Sequence, residues 1–156
     1  MMKNFIFIYV VSLMLMILVV QNATAQDGSN TKGQQVHKIE IVNSNTLEVN
    51  EIYGPNVKVL RGDVQFYHDS ASMFCDSAFY NSAENTFRAF GNVHAYRLME
   101  QDTVHLWGDS LDYDGKTRLA RMRDNVVMTT DSMRMVTENI DYDMDKNVAN
   151  YFDGGT

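Results

Sequence analysis

Three groups of residues in this chain are of types that could do chemistry. His94 and His105 lie on the two arms of one expected hairpin, with Leu98-Met99-Glu100-Gln101 at its tip, which sets the two imidazoles opposite each other on the outward face. Two imidazoles can share a metal ion, but a zinc site needs a third or fourth ligand, and only two are visible. Cys75 is the only thiol, so no internal disulfide can form. Its inward position suits a small buried side chain, and a nucleophile there would need a base that the sequence does not place beside it. The third group is a row of acids, Asp76, Asp109 and Glu138. One acid in about thirty residues makes rungs rather than the oxygen cluster a hard cation requires. No convergent set of titratable groups emerges, so no catalytic residue, metal or other cofactor is assigned and an enzyme is not expected.

The acids belong to a recurring phrase. It reads Cys75-Asp76-Ser77-Ala78-Phe79-Tyr80, then Gly108-Asp109-Ser110-Leu111-Asp112-Tyr113, then Thr137-Glu138-Asn139-Ile140-Asp141-Tyr142, with a weaker copy at Asn45-Thr46-Leu47-Glu48-Val49. Positions 45, 76, 109 and 138 are 31, 33 and 29 residues apart. A period near thirty means one supersecondary unit stacked on itself. Each copy has a companion: Gly62-Asp63-Val64, Gly91-Asn92-Val93 and Asp124-Asn125-Val126. Tyr80 to Gly91, Tyr113 to Asp124 and Tyr142 to Asp153 are each 11 residues, so variation in the period falls between companion and phrase.

The elements that position these residues read as strands. Val126 and Met128 alternate with Val127 and Thr129, and Met133 and Met135 alternate with Arg134 and Val136. With Thr129-Thr130-Asp131-Ser132 as a four-residue loop, Met128 is expected to face Met133 and Val126 to face Met135. The first unit follows the same arithmetic, with Asp69-Ser70-Ala71-Ser72 as loop, Phe66 opposite Cys75 and His68 opposite Met73. In the longer middle hairpin Val93 is set against Leu106, Ala95 against Val104, and Arg97 against Asp102 as a charge pair.

The phrase itself breaks the alternation. Met135 and Thr137 share one face, yet Ile140 and Tyr142 have the opposite parity; Leu106 and Gly108 give way to Leu111 and Tyr113 in the same manner. A parity shift at a fixed place is the mark of a bulge or bend that carries a strand from one sheet layer to the next while its apolar side stays inward. Short polar side chains such as Asp-Ser suit such a corner, since they can satisfy backbone groups released there. The inward face then holds Phe66, Met73, Val93, Leu106, Leu111, Met122, Val126, Met128, Met133, Met135 and Ile140, among others. Methionine adapts to irregular apolar partners, and a Met-rich lining suits a flexible acyl chain. An inward apolar face is also what any core looks like.

The first 25 residues stand apart. Lys3 precedes an apolar run from Phe5 to Val20, and Ala23-Thr24-Ala25 before Gln26 has the small residues of a cleavage site, so residues 1–25 are expected to be a signal peptide, with a retained anchor as the alternative. Residues 26–35 are rich in Gly, Ser, Asn and Gln and are expected to form a flexible lead-in. The 131 residues after the signal carry 12 basic and 20 acidic side chains, which argues against nucleic acid as a partner. They are long enough for one domain, expected to be all-β over residues 36–156, a folded-over antiparallel sheet built from hairpin repeats.

The ordered combination of Arg61-Gly62-Asp63-Val64, Met73-Phe74-Cys75-Asp76-Ser77-Ala78, Ala89-Phe90-Gly91-Asn92-Val93, Asp102-Thr103-Val104, Gly108-Asp109-Ser110-Leu111-Asp112-Tyr113-Asp114-Gly115 and Arg123-Asp124-Asn125-Val126 resembles the OstA-like, or LptA-type, lipopolysaccharide transport (organic solvent tolerance) proteins, in particular their Bacteroidetes form. The resemblance implies a bent, open β-jellyroll in the periplasm, or associated with the outer membrane, whose apolar groove cradles lipopolysaccharide acyl chains for outer-membrane assembly. The lining that would do so comprises Phe66, Val93, Leu106, Leu111, Val126, Met128, Met133, Met135 and Ile140. It further implies partners among other lipopolysaccharide-transport jellyrolls, or copies of the chain itself, joined end to end by strand pairing. Asp153-Gly154-Gly155-Thr156 stands where a fourth companion would begin, which fits a short form, a fragment of a longer chain, or a protomer whose edge is paired by a partner strand. The rival reading is a β-repeat scaffold or oligomerising strut without a lipid ligand.

Overall fold

The structure, a computed structural model, describes residues 37–49 and 51–152. The expected signal peptide and lead-in lie outside the described residues. Among the described residues nine strands form one antiparallel sheet: β1 (Glu40–Asn43), β2 (Thr46–Val49), β3 (Val57–His68), β4 (Ala71–Asn81), β5 (Thr86–Leu98), β6 (Thr103–Asp114), β7 (Leu119–Thr129), β8 (Arg134–Asp143) and β9 (Val148–Phe152). From β3 to β9 each strand pairs with the next. At the other edge β1 and β2 both pair with β3, on its second and first halves respectively.

Every strand from β3 to β8 is interrupted at the same level. The pairing slips between Arg61 and Val64, Phe74 and Ser77, Phe90 and Val93, Trp107 and Ser110, and Arg123 and Val126, so the irregularities line up across the sheet as one crease. The phrase strands β4, β6 and β8 shift parity there: Cys75 and Ala78 are both buried, as are Leu106 and Leu111, and Thr137 and Ile140. The companion strands keep parity, because an extra residue lies in the crease and Leu60 and Val64, Ala89 and Val93, and Met122 and Val126 are all buried. The extra residue is what makes this a bulge.

The unusual backbone sits in the companion rather than in the phrase. Gly62 and Asp63, Gly91 and Asn92, and Asp124 and Asn125 are consecutive pairs with positive φ, from 46° to 75°. Glycine, asparagine and aspartate are the residues that enter this region most readily, which accounts for the companion's composition. Asn92 Nδ2 donates to Asp76 Oδ2 at 2.8 Å and Asn125 Nδ2 to Asp109 Oδ2 at 2.7 Å. In the first copy the partners exchange types, with Asn45 donating to Asp63 Oδ2 at 3.0 Å. Asp76 and Asp109 are therefore occupied by amides across the crease.

The crease folds the sheet so that its two halves face each other. Phe66, beyond the crease on β3, stacks on Phe87 of β5 with centroids 4.3 Å apart and also meets Tyr80; Phe87 in turn meets Tyr113. At one end of the strands the turns follow a repeated rule. Asn81, Asp114 and Asp143 each accept two backbone N–H groups from the residues two and three positions on. Asn85, Arg118 and Asn147 close these turns with left-handed backbone.

At the other end the expected hairpins are shifted. The first turn is the tight pair Asp69-Ser70, with His68 opposite Ala71 and Phe66 opposite Met73 rather than Cys75. The middle loop runs from Met99 to Asp102, closed by Met99 N–H on Asp102 O at 3.0 Å, and pairs Ala95 with Leu106 and Val93 with Gly108. The last loop is Thr130 to Met133, which pairs Met128 with Met135 and Val126 with Thr137. Each expected register is thus off by two, a slip that leaves every face assignment unchanged because side chains alternate with period two. The exception is Met133, which falls in the turn and is 46% exposed. Nor do Arg97 and Asp102 form their expected pair. Arg97 donates to Ser70 Oγ and to the Met144 carbonyl, while Asp102 Oδ1 accepts from the amides of Thr103 and Asp131.

Candidate functional site: an apolar inner face with uncovered ends

Alternation and crease together bring the expected lining onto one surface. Phe66, Val93, Leu106, Leu111, Val126, Met128 and Ile140 are each 5% exposed or less and belong to one cluster; Met135 is half-buried against it. Met133 is not part of this surface. In the chain alone the two halves are packed together, leaving a cavity of about 20 Å³ among Met73, Ala95, Val104, Leu106, Ala120 and Tyr142, room for about one water molecule.

The inner face is uncovered where the sheet ends. Opposite Leu60, on the inner side of β2, Leu47 is 48% exposed, and Val49 beyond it is exposed as well. At the far edge Tyr151, opposite Ile140, is 55% exposed. There β9 pairs only with Asn139–Asp143, so the stretch of β8 from Arg134 to Thr137 has β7 on one side and no strand on the other among the described residues. Phe152, on the outer side of β9, is exposed, with the Arg123 guanidinium 5.4 Å from its ring.

The other chemical candidates are placed differently. His94 lies opposite Trp107, and His105 opposite Tyr96, so the histidines meet diagonally, with Nε2 and Nδ1 3.1 Å apart. Their rings and Trp107 form a cluster of nearly parallel rings, His94 to Trp107 at 4.8 Å and 2°. Burial, and then the neighbouring His105, hold the His94 pKa below its ordinary value, which favours the neutral ring. Among the described residues no third His, Cys, Asp or Glu joins them to make a metal-binding group. Cys75 is buried, and burial above all pushes its thiol up to about 11, so it is protonated at neutral pH and a poor nucleophile.

Sequence reasoning missed a polar group where the hairpin tips meet the opposite turns. His68 is 1% exposed, with Nδ1 2.7 Å from the Tyr113 hydroxyl. Asp69 lies 2.5 Å from the His37 ring and 2.9 Å from Arg118. Burial would raise the Asp69 pKa, but the His37 hydrogen bond and the charges of His68, Arg118 and His37 outweigh it and hold the carboxyl below its ordinary value. The available signal was His68 itself, since a histidine at an inward position of an apolar strand requires a polar partner.

With this geometry, comparison with known proteins places the fold. The OstA-like protein family model matches residues 36–156. No curated protein matches the chain. Among solved structures, the crystal structure of LptH from Pseudomonas aeruginosa, the LptA-homologous periplasmic component of that organism's lipopolysaccharide transport device, is similar with a TM-score of 0.66 at 16% identity, covering 74% of this chain and 82% of that one. At that identity the likeness speaks to fold, a bent open jellyroll. The family match spans most of the chain, and the chain belongs to the OstA-like family of LptA-type proteins.

Proposed function

We propose that this protein is a periplasmic lipopolysaccharide carrier, delivered by a cleaved signal peptide, that takes up acyl chains between the two halves of its folded sheet and passes them toward the outer membrane. The observation that carries the reading is the apolar inner face that reaches both ends of the sheet uncovered, at Leu47 and Val49 on one side and Tyr151 on the other. An inner surface meant only as a core would be capped there. Membership of the OstA-like family and the fold shared with a periplasmic component of a lipopolysaccharide transport device support it.

The contacting side chains are Phe66, Val93, Leu106, Leu111, Val126, Met128, Met135 and Ile140, and the work is binding rather than catalysis. Each methylene taken from water contributes about 0.8 kcal/mol, so a chain of acyl length supplies the affinity that the acidic surface does not. Because the halves are packed against each other in the unliganded chain, uptake requires them to separate. The open stretch of β8 and the outer edges of β1, β2 and β9 are suited to strand pairing with another jellyroll or a second copy.

The test is displacement of a fluorescent dodecanoyl probe by lipopolysaccharide. Binding is expected for the wild type and is expected to be lost in Leu106→Asp and Met128→Asp variants that remain folded by circular dichroism. A folded wild-type protein that takes up neither probe nor lipopolysaccharide would end the carrier reading. The closed interior favours one other reading, a scaffold that oligomerises through its edges, for which concentration-dependent assembly without lipid is the expected result.

A further inference from the structure

The crease closes one side of the folded sheet; on the opposite side lies a seam, where the hairpin tips of one half meet the turns of the other. Few groups cross it. Arg118, in the β6–β7 turn, lies 2.9 Å from Asp69 at the β3–β4 tip and 2.8 Å from Asp145. Arg97 reaches from β5 to the Met144 carbonyl. The other polar crossings among the described residues are His68, whose Nδ1 lies 2.7 Å from the Tyr113 hydroxyl, and the segment His37–Ile39, which precedes β1 and belongs to no strand.

That segment is held by side chains rather than by a ladder. The His37 carbonyl accepts from His68 Nε2 at 2.9 Å and from Asn85 Nδ2 at 3.1 Å. The Ile39 amide donates to Asn85 Oδ1 at 2.9 Å, and its carbonyl accepts from the Tyr80 hydroxyl at 3.2 Å. A carbonyl only accepts, so His68 carries its proton on Nε2, and its Nδ1 accepts from Tyr113 when the ring is neutral. The Ile39 side chain is 4% exposed, and a Cβ built on Gly115 would lie 3.0 Å from its Cδ1, so it plugs the seam against the β6–β7 turn. His68 and Asn85, two of the four buried polar residues among those described, hydrogen-bond to His37 and Ile39. The neighbouring clasp is imperfect: Asp69 Oδ2 is buried without an aligned hydrogen bond, although Arg118 is within ion-pair distance.

We infer that His37–Ile39 is a detachable strap that closes the seam over the packed interior, and that its release opens the lateral route by which an acyl chain passes between the two halves. The inference rests on the carrier reading and names the place where that site opens. Parting the halves at the crease would break six continuous strands. Parting them at the seam breaks the strap, the Arg118 and Arg97 contacts, the His68–Tyr113 hydrogen bond and side-chain packing, and leaves every ladder intact. Local opening of this kind is drawn from the least cooperative part of a fold, and a segment with no strand partner is such a part.

Hydrogen exchange read by mass spectrometry on the wild-type protein tests the strap without a ligand. Amides of residues 37–39 are expected to exchange at least about tenfold faster than those of β5 and β6, and faster still with the dodecanoyl probe bound, while β5 and β6 stay protected. Asn85→Gly is the releasing variant: glycine accepts the left-handed backbone of residue 85, at φ 59°, so the turn survives while both side-chain bonds to the strap are lost. The expected result is about tenfold faster strap exchange and about tenfold faster probe uptake, with β5 and β6 unchanged. A strap that exchanges only in step with the strands overturns the inference, as does uptake that stays constant when Asn85→Gly frees the strap. Failure of every variant to bind the probe would instead defeat the carrier reading and the route with it, and the exchange data would still decide whether the strap lets go alone.

Discussion

The crease and the seam bound the same apolar interior from opposite sides, and they are built in opposite ways. The crease is periodic: left-handed companion pairs and Asn–Asp bonds recur across adjacent strands, with the chain passing through it six times. The seam is singular. Among the described residues one strap, one Asp69–Arg118 contact, one His68–Tyr113 bond and one reach by Arg97 close it, and none of them recurs in the repeat. A repeated device distributes its stability over many strands and behaves as a fixed fold line. A device made once can be undone locally, which suits the side that has to open.

The largest expected effect falls on what both sides share. Phe66 reaches across the interior to stack on Phe87, so Phe66→Ala should remove about 3–5 kcal/mol from the unfolding free energy in urea. A loss under about 1 kcal/mol would mean that the halves are already loosely packed and that the contrast between crease and seam is too strongly drawn.

At the crease, Gly91→Ala is expected to cost about 1–3 kcal/mol from backbone strain alone, since its φ is +75°. A Cβ there would also lie 2.5 Å from Asp76 Oδ2, so the carboxylate that holds Asn92 has to move. Asn92→Gly separates the two contributions. It keeps the left-handed backbone and removes only the bond to Asp76, for an expected cost of about 1.5–3 kcal/mol for a hydrogen bond to a charged group, at the low end because the site is exposed. If Asn92→Gly is as stable as wild type, the ladder of amides and acids is decoration and the crease depends on backbone conformation alone.

The difference between the two sides also explains what could be read in the chain. Parity through Asp76, Asp109 and Glu138 shows in a single copy and is confirmed by the next, so the bend and the inner face were legible. The left-handed Gly-Asp and Asp-Asn pairs were visible as composition but not as conformation, because the same dipeptides serve many turns. Register was misplaced by two in each hairpin, since an even slip keeps Phe66, Leu106 and Met128 inside, and burial therefore cannot detect it. Met133, which passed from strand into turn, and the unmade Arg97–Asp102 pair exposed the error. The strap was illegible for a different reason. Ile39, His68 and Asn85 are far apart in sequence, have no repeat to announce them, and meet only once the sheet has folded.

The smallest expected effect is at the seam and depends on pH. Because the folded-state pKa of Asp69 lies below the ordinary 3.8, its contribution to stability is fully present above that value and is lost as pH falls through the folded value. Asp69→Asn keeps a residue that tolerates the left-handed backbone at φ 54° and removes the titrating charge. The variant should therefore be less stable than wild type at pH 7, with the gap closing as both are brought toward pH 3, measured as midpoint temperatures at a series of pH values. Some acid sensitivity should persist, because backbone hydrogen bonds and Lys116 hold Asp114 low despite its burial, and Lys146 does the same for Asp143. Both of those groups cap turns of the repeat rather than the seam. If the wild type and Asp69→Asn lose stability in parallel down to pH 3, the Asp69 charge is not holding the seam, and the strap, Arg97 and the His68–Tyr113 bond close that side of the fold.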